Sequence, residues 1–218
     1  MPITCDRLII EPGNTVSIRA DWDEFNALLE ELGDRRETRV AYRDGTLDLT
    51  VMSRKHRHSE EVVVDFIHSL FSELEMAFSV CSATLFKDID QKIGVEPEKG
   101  FYIRQPGAVS EERMVDATLT PVPDLVIEAE NFPKSYCENY ADLGIAELWR
   151  YGEDWVEIQS LDVETKTYKR QWKSDYFPEL LLSEVLPDYL ERVDADGYNT
   201  TLRAFRAWVR KQVAAAAG

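Results

Sequence analysis

The sequence predicts an α/β domain, on three observations. Segments with apolar residues every three or four positions recur near the start, the middle and the end of the chain. Short β-rich runs bounded by Gly, Pro and Asp fill the space between them. One run, Leu125-Val126-Ile127, is continuously apolar, the pattern of a strand covered on both faces. With 218 residues, 44% of them hydrophobic, and no repeat, long linker or compositional break, a single domain over residues 1–218 is expected.

The first helix follows "ADWDEFNALLEELGD". Asp21 is placed to cap it, Glu24 stands three residues on as in a capping box, and Phe25, Leu28, Leu29 and Leu32 form the buried stripe before Gly33. "RVAYRDGTLDLTVM" reads as a hairpin about Asp44-Gly45, because apolar and polar residues alternate on both sides of that tight-turn pair. From Ser59 to Phe78, Val62, Phe66, Ile67, Leu70, Phe71 and Leu74 mark a second, longer helix. "FSVCSATLFKDI", "GFYIRQ" and "PDLVIEAE" are strand candidates, with "EPEKG" supplying a turn before the second. "KSYCENYADLGI" is helix-like up to Gly144, and "AELWRYGEDWVEIQSLDVETKTYKRQ" reads as strands around turns at "GED" and "DVETK". Two helical pieces close the chain, "FPELLLSEVLPDYL" and "TTLRAFRAWVRKQVAAAAG", the last with Thr200 or Thr201 as its expected cap.

With 41 acids against 25 bases, the net charge of −16 repels phosphate backbones at long range, so any contact with nucleic acid needs a local basic patch or a metal ion. The three cysteines, Cys5, Cys81 and Cys137, have neither CxxC spacing nor a companion His at ligand distance, which argues against a zinc site or a disulfide framework. "MPITCDRLIIEPG" lacks a basic start followed by a long apolar stretch, and no run approaches a membrane span. A cytoplasmic protein without a membrane partner is the expectation.

The chemistry concentrates in "PVPDLVIEAE". Alternation along a strand puts Asp124, Val126, Glu128 and Glu130 on one face. At about 3.3 Å per residue, Asp124 lies roughly 13 Å from Glu128, too far to share an ion, whereas Glu128 and Glu130 are about 6.6 Å apart and can bracket one. Neighbouring buried carboxylates need a compensating cation, and all-oxygen ligation suits Mg²⁺ or Mn²⁺. Glu128 and Glu130 also fit the solvent end of an ordinary strand, and the residues alone leave both readings open.

The ordered motifs "DGTLDLTVMS", "EPEKGFYI", "PVPDLVIEAE" and "YADLGIAELWRYGEDWVEI", with "FPELLLSE" and "LRAFRAWV" near the end, resemble the Uma-two family of endonucleases within the PD-(D/E)xK superfamily. The likeness runs from about residue 22 to 209. It implies a restriction-endonuclease-like core, a mixed central sheet flanked by helices, and a Mg²⁺- or Mn²⁺-dependent nuclease acting on DNA or RNA, with a homodimer as the expected assembly. Glu98, in Glu96-Pro97-Glu98, takes the place of the family's first metal-binding Asp. Glu128 takes the second acid position, and Glu130 an acid where many superfamily members carry Lys. The family's helical basic residue falls near Tyr136, which leaves Lys134 as the nearest base. The implied roles are catalysis by Glu98, Glu128 and Lys134, and metal binding by Glu98, Glu128 and Glu130.

"SRKHRHSEE" is the most basic segment of the chain, and the resemblance places His56, with Arg54 beside it, near the substrate. The same bases also fit a solvated surface. Trp149, Tyr151 and Trp155 read as core or dimer-contact residues, and Cys137 has no positioned base that would make it a nucleophile. A second reading of the whole chain is a nuclease fold that has lost catalysis and serves as a binding or assembly module.

Overall fold

The computed structural model describes residues 9–33, 38–130 and 132–216, apart from the side chains of residues 54–57. Its strands are β1 (Thr15–Arg19), β2 (Thr38–Arg43), β3 (Thr46–Val51), β4 (Ser79–Cys81), β5 (Leu85–Asp88), β6 (Ile93–Val95), β7 (Lys99–Tyr102), β8 (Met114–Asp116), β9 (Leu125–Ala129), β10 (Glu147–Tyr151), β11 (Val156–Asp162) and β12 (Thr167–Gln171). The helices are α1 (Trp22–Leu32), α2 (Arg54–Glu73), α3 (Lys134–Asp142), α4 (Leu182–Asp196) and α5 (Tyr198–Ala216).

The α/β class and its helix-flanked mixed sheet are present, but the strands divide between two six-stranded sheets. One has the order β1-β3-β2-β6-β5-β8 and the other β12-β11-β10-β9-β7-β4. Each is mixed, because β5 pairs parallel with β8 and β9 parallel with β10, while the remaining pairs are antiparallel.

Local chemistry accounts for the elements nearest the site. Asp21 caps α1 by accepting from the Asp23 and Glu24 N–H groups, and Glu24 returns a bond to the Asp21 N–H. That frees α1 to bury Phe25, Leu28 and Leu29 on Val40, Tyr42, Leu47 and Leu49 of the hairpin. Asp44 (φ 48°) and Gly45 (φ 72°) both occupy the left-handed region, which a two-residue hairpin turn requires. The turn puts Val40 and Tyr42 toward α1 and Arg39, Ala41 and Arg43 on the opposite face.

The second sheet is covered on both faces, as its apolar strands foretold. Leu125, Ile127 and Ala129 of β9 pack with Val63, Phe66 and Leu70 of α2 and with residues of α4 and α5. Val126, on the other face, packs with Tyr136 and Tyr140 of α3 and with Ala41 and Val95 of the first sheet. Trp149 and Tyr151 are buried inside the chain rather than presented to a partner. At Gly100 of β7 a Cβ would stand 2.7 Å from Cys81 Sγ and 2.8 Å from Pro123 Cγ, so β7 runs in a channel that admits no side chain there.

Some elements differ from expectation. Helix α2 begins at Arg54 rather than Ser59, so the basic segment forms its first turns. Helix α5 begins at Tyr198, and Thr201 is a buried residue whose hydroxyl donates to the Arg192 carbonyl instead of capping the helix. Strand β1, too short to stand out by composition, pairs with β3 through five residues.

Candidate active site

Strands β7 and β9 run antiparallel with Lys99 opposite Ile127, so the register sets Glu98, one residue before β7, across from Glu128. Two main-chain bonds tie them. The Glu98 N–H donates to Glu128 Oε1 (3.2 Å), and the Ala129 N–H donates to Glu98 Oε2 (2.9 Å). Both residues are buried, Glu128 completely. Sequence spacing separates them by 30 residues, and the sheet brings them together.

Their side-chain partners come from different directions. Glu128 Oε1 accepts from Arg39 Nη2 of β2 (2.5 Å) and from the Tyr140 hydroxyl of α3. Glu98 Oε1 accepts from the Tyr151 hydroxyl of β10 (2.7 Å). Tyr140 belongs to the cluster on the α3 face of the sheet, and Tyr151 to the cluster beneath α2. Glu98 lines a cavity of about 260 Å³ with Glu60, Lys99, Ser82 and Glu96, whereas Glu128 lines a smaller one of about 20 Å³ with Thr15, Thr50 and Phe132. Arg39 and Met52 line both and form their common wall.

Burial pushes the Glu98 carboxyl up to about 8. The Arg39 charge opposes that rise and the Glu128 charge adds to it. Glu128 Oε2, by contrast, is buried without a hydrogen-bond partner. An unpaired buried carboxylate oxygen is costly. Burial also pushes the Cys137 thiol up to about 11, which removes it as a nucleophile near neutral pH.

The other sequence candidates lie apart from this pair. Glu130 is exposed in the turn after β9. Lys134, at the start of α3, is 88% exposed and paired with Glu138 at 3.0 Å, one helical turn on. Arg54 and His56 fall in the first turn of α2, but their side chains lie outside the described residues. Asp124, the first acid of the quoted run, accepts from the Ile103 and Arg104 N–H groups and from Arg104 Nε, so it is held just before the start of β9, at the other end of the strand from Glu128.

Sequence reasoning missed Arg39, Tyr140 and Tyr151. Tyr136, where the family's basic residue was expected, has its ring under the Arg39 guanidinium, 5.2 Å from centroid to Cζ. Arg39 thus sits beside the position from which a base is missing. Its alternation with Val40 and Tyr42 was the one available signal, since it put Arg39 on the face opposite α1.

A family model described as "Uma2: Putative restriction endonuclease" matches residues 22–193. The chain belongs to the Uma2 family. Among solved structures, this Uma2 chain is similar to the crystal structure of "a putative nuclease belonging to DUF820" from Anabaena variabilis ATCC 29413. The TM-score is 0.53 at 17% identity, and the match covers 79% of this chain and 99% of that one. At that identity the likeness concerns the fold alone. Comparison with curated proteins gave no match.

Among the described residues, no three Asp, Glu, His or Cys side chains cluster as a metal cage. A hydrated Mg²⁺ needs only one or two protein carboxylates, so two acids with one unpaired buried oxygen fit such an ion by donor chemistry. The charge already beside them is that of Arg39. No helix among the described residues is long and apolar enough to cross a membrane.

Proposed function

We propose that this Uma2 chain is a metal-dependent nuclease that hydrolyses phosphodiester bonds of DNA or RNA, with Glu98 and Glu128 as the residues that would hold Mg²⁺ or Mn²⁺. The observation that carries this reading is the β7–β9 register, which sets these two acids opposite one another with reciprocal main-chain bonds. A bound ion would lower the pKa of a water and offset charge on the phosphate.

The chain's own residues do the rest. Tyr140 orients the Glu128 carboxylate, and Tyr151 with the Ala129 N–H orients that of Glu98. Both Glu98 oxygens and one Glu128 oxygen are thereby restrained, as reactive geometry requires. The wider cavity beside Glu98, lined by Lys99 and Ser82, gives a phosphate room to approach. Lys134, expected from sequence to stabilise the developing charge, is exposed and paired to Glu138.

A second reading, a nuclease fold that binds without cutting, is favoured by one specific observation. The Arg39–Glu128 pair already compensates the buried acid without any ion.

Calorimetry with Mn²⁺ and Mg²⁺ on wild type and Glu128→Gln, followed by a cleavage screen on single- and double-stranded DNA and RNA, separates the two readings. Ion binding and cleavage that are both lost in Glu128→Gln support the nuclease. Absence of both in the wild type overturns it and leaves the binding module.

A further inference from the structure

Few of the molecule's basic side chains are buried as deeply as Arg39. It enters from β2 and is 9% exposed. Its Nε and Nη2 both donate to the Glu96 carbonyl, at 3.1 and 2.8 Å, and Nη2 also reaches Glu128 Oε1 at 2.5 Å. The face of the Tyr136 ring covers the guanidinium, an arrangement that attracts a cation. The planar fork therefore has a fixed place with one face on an aromatic ring and one edge on acceptors.

The neighbouring charges are already committed. Lys99 is paired with Glu60 at 2.8 Å, and Lys134 points to Glu138 in solvent. Arg39 is consequently the positive charge in contact with the acid pair, and it forms the wall between the cavity that Glu98 lines and the one that Glu128 lines.

We propose that Arg39 is a resident cation of the site. Its guanidinium and a divalent ion are alternative partners of Glu128, and an ion that joins Glu98 to Glu128 does so by displacing it. This inference rests on the reading of Glu98 and Glu128 as the ion-binding acids, and it names the residue that governs their affinity. The guanidinium and an ion against one buried carboxylate repel strongly, so each lowers the other's affinity for Glu128. Arg39 is in this sense a positioning residue. It holds Glu128 in place while no ion is bound, and it weakens ion binding.

The test compares wild type, Arg39→Gln, Arg39→Lys and the double variant Arg39→Gln/Glu128→Gln, with Mn²⁺ as the probe, by calorimetry and by thermal unfolding in EDTA and in Mn²⁺. Arg39→Gln is expected to melt below wild type in EDTA, to recover in Mn²⁺, and to bind Mn²⁺ at least about tenfold more tightly. Arg39→Lys keeps the charge and is expected to retain the weaker affinity of the wild type. The double variant, which lacks both charges, is expected to lose the Mn²⁺ response.

If Arg39→Gln binds Mn²⁺ no more tightly than wild type, or loses binding that wild type has, the inference falls while the nuclease reading stands. If Arg39→Gln gains a Glu128-dependent Mn²⁺ site while wild type neither binds nor cuts, the inference stands and the nuclease reading falls. Should Arg39→Gln fail to fold, Arg39→Lys decides, because Mn²⁺ affinity raised about tenfold with the charge retained overturns the proposal.

Discussion

Asp124 and Glu128 lie four residues apart at either end of β9, both buried, yet their oxygens are treated in opposite ways. Asp124 takes two main-chain N–H groups and Arg104 Nε, spread over both of its oxygens, and Arg104 is 67% exposed. Glu128 gathers Arg39, Tyr140 and the Glu98 N–H on a single oxygen and leaves the other bare. The first is a structural acid whose bonds close the approach to the strand. The second is over-supplied on one side and unsupplied on the other, and it borders a cavity, which is the condition of a group arranged for something further. A run of three acids in sequence therefore resolves into one fastener, Asp124, one solvated end, Glu130, and one site residue.

The contrast can be broken most directly at Glu128. Glu128→Gln leaves Arg39 buried without its counter-charge and is expected to cost about 3–5 kcal/mol in urea denaturation. A loss under about 1 kcal/mol would put Glu128 in the same class as a surface acid. Asp124→Asn weakens bonds to a largely exposed Arg and to two N–H groups, so about 1–3 kcal/mol is expected, with Mn²⁺ calorimetry unchanged.

Glu98 sharpens the contrast through pH. Its carboxyl is raised from the ordinary 4.5 to about 8, so over that window the folded protein holds a proton that the unfolded chain has released. The stability this contributes is complete below 4.5 and is lost as pH rises to about 8. Metal-free protein should therefore show a Tm that declines across that window, and Glu98→Gln should flatten the decline. The smallest effect belongs to Lys134. Lys134→Ala removes only an exposed pair and should alter stability by less than about 0.5 kcal/mol and leave cleavage unchanged.

What could be read from the sequence was what neighbouring residues decide. The α1 capping box, the Asp44-Gly45 turn and the two-sided burial of β9 all follow from residues within a few positions of one another. The facing of Glu98 and Glu128 was within reach because each ends or precedes a recognisable strand. Arg39 was not, since an Arg flanked by polar and apolar residues reads as a solvated strand edge until its partner, 89 residues away, is known. Tyr140 lies within a helix-like run and Tyr151 reads as a core or dimer-contact residue, and nothing local shows that their hydroxyls are aimed at the two acids. The division into two sheets rests on pairings between distant strands, for which a single chain carries no local signal.

Gly100 sits two positions beyond Glu98 in a passage with space for a hydrogen atom and nothing larger. A methyl group there would force β7 away from Cys81 or Pro123 and carry the Glu98 N–H off its acceptor. The acid pair is thus hostage to crowding at a place that has no charge and no hydroxyl. A variant impaired at that point would look chemically intact on paper and fail for want of a fraction of an ångström.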